Sequence, residues 1–111
     1  MGNTALLITG SVVITLWGIS HIVPTRGVVD GFGTLTLDNR RIITMEWVAE
    51  GLTLAFIGAL GLLIAFAGNP ASATAVLVYR ALAVMLIIMA AWTLMTGART
   101  SIIPIKICPA V

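Results

Sequence analysis

Three long apolar runs, joined by short polar connections, organise the chain; they cover residues 4–23, 42–67 and 71–96. A helix needs about twenty apolar residues to cross a hydrocarbon core, and each run reaches that length. Backbone amides in lipid must find partners within their own segment, so all three runs are predicted as transmembrane helices. The tail over residues 100–111 is also apolar, but it is too short to span and is interrupted by Pro104 and Pro109. It reads either as an interfacial segment or as the opening of a fourth helix, and the better closure of a four-helix bundle favours the second. The predicted fold class is all-α, a polytopic transmembrane bundle of three full helices plus a partial or truncated fourth, in a single domain over residues 1–111.

Composition supports a membrane setting. With 59% hydrophobic residues and a mean hydropathy of +1.13, the chain carries more apolar surface than a soluble domain of 111 residues can hide. A lipid bilayer must cover the remainder. The first run lacks a basic region ahead of it and is long enough to span, which predicts an uncleaved anchor in place of a signal peptide. The net charge of +2 is small and scattered, and no Lys/Arg run alternates with stacking aromatics, so nucleic acid is not an expected partner. Cys108 is the single cysteine, which excludes an intramolecular disulfide.

Basic residues set the expected topology. Arg26, Arg40 and Arg41 lie between the first two runs and Arg99 follows the third, whereas Gly68-Asn69-Pro70 carries no charge. The positive-inside rule places the first loop and Arg99 on the cytoplasmic side of a cell (inner) membrane, in a multi-pass arrangement with the amino terminus outside. Antiparallel threading brings Trp17, Trp47 and Trp92 toward that same face, where an aromatic belt accounts for them. Within the first loop, the glycines flanking Phe32 suit a tight turn with positive φ, residues 34–37 read as briefly extended, and Asp38-Asn39 reads as the N-cap of the second helix. Arg40 and Arg41 then sit in a first turn whose dipole disfavours cations. Lipid phosphates, the positive-inside bias, or a pair with Asp30 or Asp38 account for that placement.

Only 9% of residues are charged, yet His21, Glu46, Glu50, Arg80 and Lys106 lie within or at the edges of apolar stretches, where such groups are costly and mark a site or an internal ion pair. Glu46 and Glu50 are four apart and share a helical face, so their like charges repel. His21 closes the first helix at the same membrane face. An imidazole and two carboxylates converging there offer the chemistry of a metal ligand set, a proton relay or a polar-headgroup site. A di-iron bundle needs Glu-x-x-His pairs on two helices, and zinc catalysis needs more nitrogen or sulfur ligands than one histidine supplies, so no metal is assigned. The plainer reading seats Glu46 at the headgroups, pairs Glu50 with Arg80 or Arg99, and bonds His21 to a loop carbonyl. Arg80 lies roughly 13 Å from the outer face at the helical rise. There it either pairs with Glu50 or snorkels past Tyr79.

Gly51, Ala55 and Ala59, joined by Gly58 and Gly61, form a small-residue ridge on the second helix that permits close backbone approach to a neighbour. Met85, Met89 and Met95 read as adaptable packing. Ser and Cys side chains have no activating base within sequence reach, and no glycine-rich phosphate loop follows a strand, so no catalytic residue is assigned.

The segment Gly18-Ile19-Ser20-His21-Ile22-Val23-Pro24 resembles the Gly-x-x-His-x-x-Pro segment that follows the first helix in small four-helix membrane proteins of the DoxX-like group. That resemblance covers seven residues plus the hydropathy plan. It implies a four-helix bundle in a bacterial cell membrane, often accessory to membrane redox complexes, with His21 and Pro24 as the motif positions carried over. Two functions are expected on these grounds. The first is a non-catalytic accessory or structural subunit of a larger membrane complex, associating with other transmembrane subunits or with itself. The alternative is a protein that binds a quinone or other lipid-soluble ligand at the His21, Glu46, Glu50 cluster with proton transfer; no cofactor is specified.

Overall fold

The computed structural model describes residues 2–101 and 103–111. Among the described residues five α-helices follow one another: α1 Gly2–Ile22, α2 Thr25–Asp30, α3 Leu37–Ala67, α4 Ala73–Met95 and α5 Ile103–Ile107. Short 3-10 turns occupy Gly97–Arg99 and Cys108–Ala110, and no strand occurs among the described residues. The stretches Asn3–Ile22, Leu37–Ala67 and Ala73–Arg99 are long and apolar enough to cross a membrane. The protein is thus all-α and carries the helices of a multi-pass membrane protein. It divides into two compact units, Met1–Leu63 and Ile64–Val111.

In the first unit α1 and α3 run antiparallel and touch backbone to backbone. A Cβ placed on Gly18 would lie 2.6 Å from the Gly51 carbonyl oxygen and 2.9 Å from Ala55 Cα, and would press on the Ala55 amide. A Cβ on Gly58 would meet Thr15 Oγ1 and approach the Ser11 carbonyl oxygen to 2.5 Å. Glycine is therefore required at both ends of this contact by space alone. Ile14, Gly18, Gly51 and Gly58 are buried along it.

The connection from α1 to α3 departs from expectation in two places. Residues 25–30 form α2, which begins where Pro24 ends α1 and can supply only a carbonyl, taken by the Val28 amide at 3.0 Å. Gly33 does adopt positive φ, 77°, but Gly31 is right-handed and closes α2. No strand forms over residues 34–37. Thr36, and not Asp38-Asn39, caps α3: its hydroxyl accepts from the Asn39 amide at 3.2 Å, and its carbonyl accepts the first helical bond from Arg40. The helix thus starts at Leu37, ahead of the apolar run, because a polar first turn can remain in the interface while continuing the same hydrogen-bond ladder.

In the second unit the Asn69 side chain accepts from the Ala71 amide at 3.1 Å, and Ser72 caps α4 by accepting from Ala75 at 3.2 Å. After α4 the tail turns back. A Cβ on Gly97 would come within 2.7 Å of Ile105 Cγ2, and the turn at Cys108–Ala110 packs against α4. The tail therefore contributes the five-residue α5 and a 3-10 turn containing Pro109.

Candidate functional site

The contact between α1 and α3 fixes what stands beside His21. With about 100° of turn per residue, and Gly51 taken as the point facing α1, Trp47 lies about 40° away, Glu50 about 100° and Glu46 about 140°. Trp47 accordingly reaches α1, Glu50 occupies the flank of the contact, and Glu46 points away from it and is exposed.

His21 is buried, with 8% of its surface exposed. Its imidazole stacks on the Trp47 indole, with ring centroids 3.9 Å apart and planes inclined by 15°. The Trp47 Nε1–H donates to the His21 carbonyl oxygen at 2.6 Å. That carbonyl belongs to the last turn of α1, whose oxygens have no partner within the helix. The Thr25 hydroxyl likewise donates to the Ile22 carbonyl. Trp47 thus does two things at once, closing the end of α1 and holding the imidazole plane.

Glu50 supplies the charge. Its Oε2 stands 3.5 Å from His21 Nε2, close enough for an ion pair when the imidazole is protonated, but too long and poorly aligned for a hydrogen bond. His21 Nε2 consequently has no hydrogen-bond partner among the described residues, and neither does the buried Nε1–H of Trp17, one turn earlier on α1. Buried polar atoms without partners are uncommon in native structures and call for a specific explanation.

Of the three residues expected to converge, the structure brings His21 and Glu50 together. Glu46 stays outside that pair, and no three His, Cys, Asp or Glu side chains among the described residues form a metal-holding group. Arg80 belongs to the second unit; it is exposed on α4 and makes no ion pair among the described residues. In the small-residue ridge, Gly51 and Ala55 do meet α1, but Ala59 is exposed and Gly58 takes its expected place. A four-residue repeat drifts about 40° per step, so Ala59 has rotated about 80° from Gly51 whereas Gly58 lies about 20° from it. The neighbour that the ridge packs against is the protein's own α1.

At the polar start of α3, Arg40 Nη1 donates to Asp30 Oδ1 at 2.6 Å, which accounts for an arginine in the first turn of α3. This hydrogen bond holds the Asp30 carboxyl below its ordinary value; partial loss of hydration opposes the effect, and the charges of Arg40 and Arg26 add to it. Sequence reasoning missed Trp17 and Trp47 as members of the site by assigning both to an aromatic belt. The available signal was register, since Trp47 precedes Gly51 by four residues and Trp17 precedes His21 by four. Compared with family models, with curated proteins and with solved structures, the chain matches none.

Proposed function

We propose that this protein is a non-catalytic accessory or structural subunit of a larger membrane complex. The observation that carries this reading is the outward half of α4. Leu77, Val84, Ile88 and Met95 lie along its middle, all exposed, with Ala81 and Ala91 between them at alternating spacings of four and three residues. That spacing is the seam on which one helix packs against another, and alanines in it let a neighbour approach. Arg80 lies on the same exposed half. A guanidinium inside an apolar span is costly to leave in lipid, so the face favours a partner helix over lipid alone. The resemblance of residues 18–24 to the DoxX-like segment belongs to the same proposal. Purification from the native membrane in mild detergent tests it. A stoichiometric partner is expected, or a defined oligomer that is lost when the seam is enlarged by Ala81→Phe; a strict monomer from that membrane removes the reading.

A second reading is supported by the pairing of His21 with Glu50 at 3.5 Å. A buried imidazole beside a half-buried carboxylate suits a lipid-soluble ligand, such as a quinone, with proton exchange between the two groups. In that reading Glu50 is the more consequential carboxylate and Glu46 plays no direct part.

A further inference from the structure

Two ring nitrogens on one face of α1 lack hydrogen-bond partners among the described residues. Trp17 Nε1 and His21 Nε2 are both buried without hydrogen-bond partners among the described residues, and their residues are separated by one helical turn, about 6 Å of rise. Each unpartnered nitrogen carries the desolvation penalty of a buried polar group left without a partner. The neighbours of these groups along the α1–α3 contact are largely apolar, including Ile14, Gly18 and Gly51. We propose that Trp17 and His21 form a binding site for the carbonyl oxygen of a membrane-soluble molecule. The proposal rests on the second reading above and specifies its recognition chemistry.

The free groups decide the class of ligand. An indole N–H can only donate, so the ligand must offer an acceptor to Trp17, which excludes a cation there. A hydroxyl ligand or a water would also bring O–H donors that need acceptors of their own, whereas a carbonyl brings none. The imidazole is held by its stack on Trp47, with Glu50 Oε2 3.5 Å from Nε2. A proton on Nε2 therefore lies where the ligand oxygen and the Glu50 carboxylate both compete for it. Trp17 and Glu50 are each half-buried, so the ligand enters over them from the membrane side. His21 closes a span, at the depth where lipid ester carbonyls lie; a quinone ring carbonyl has the same acceptor chemistry.

The test uses the full chain with 15N-labelled tryptophan in alkyl maltoside micelles, which contain no carbonyl. The three indole N–H resonances are assigned through Trp→Phe variants. One arm titrates a decyl-chain benzoquinone and the other dioctanoylglycerol. We expect one probe to shift the Trp17 resonance saturably while that of exposed Trp92 stays in place, and the responding arm identifies the source of the carbonyl. Followed through the Trp47 indole that stacks on His21, the same titration should be about five-fold weaker in Trp17→Phe, the loss of one net hydrogen bond. The assigned shift in the parent protein is decisive even if that variant folds poorly. Saturable binding that leaves Trp17 unmoved overturns this site while the second reading stands. No saturable binding of either probe overturns both. Contact of the Trp17 N–H with water protons that persists at saturating probe identifies the occupant as water and also overturns the proposal.

Discussion

Gly18 shows how much one residue decides in this protein. Its missing side chain lets the backbone of α1 rest on that of α3, with the Ala55 amide and the Gly51 carbonyl in the space a Cβ would fill. These are backbone atoms and cannot swing aside. Gly18→Ala should therefore cost at least the roughly 1–3 kcal/mol typical of overpacking. Gly51→Ala meets Ile22 Cγ1 at 2.5 Å, a side-chain atom that can turn, although the Gly18 carbonyl oxygen at 2.9 Å limits the relief. Gly10→Ala meets nothing within 4 Å and should be neutral. Denaturant unfolding in micelles, comparing the three variants, checks this order; equal stability of Gly18→Ala and Gly10→Ala would contradict the close contact. The sequence singled out Gly51 and Ala55 because they repeat on one helix. It passed over Gly18 as a packing residue because nothing within α1 reveals which of its glycines meets another chain segment.

Among the elements, α3 and the connection leading into it carry most of the organisation. Its early start depends on the Thr36 cap, and its first-turn arginine is anchored to Asp30 from α2. Because the folded Asp30 carboxyl is depressed, its contribution is fully present above the unfolded value of about 3.9 and is lost as pH falls through the lowered folded value. Both side chains are exposed, so the effect is small and local. Protection factors of the amides over residues 31–36, corrected for the intrinsic pH dependence of exchange, should fall on that acid limb in the parent protein and lose this dependence in Asp30→Asn; unchanged dependence in the variant would separate the loop from the pair. The three spans were legible because apolar length is a property of each segment by itself. α2 was not, since six residues carry too little periodicity to outweigh the glycines that follow them.

At the scale of the molecule, the long apolar helices call for a bilayer, and the arginines set the proposed orientation. An impermeant thiol reagent applied from outside should label Asn69→Cys and leave Thr34→Cys untouched in a variant lacking Cys108; the reverse pattern would invert the topology. The candidate site was legible as a place but not as a constellation. Ionisable residues in apolar runs pointed to His21 and Glu50, whereas Trp17 and Trp47 joined them only through the pairing of α1 with α3, which a single chain of letters does not specify. That pairing has one more consequence. Gly18 fits against Gly51 and Ala55 while Gly58 fits against Ser11 and Thr15, so the two helices are keyed at both ends like a notched ruler. A slip of one turn would carry His21 about 5–6 Å past Glu50, further than their present separation of 3.5 Å. Steric keying by residues with no polar side chain therefore sets the depth at which the imidazole and the carboxylate face each other, and any change in that notch should be felt first as a change in their chemistry.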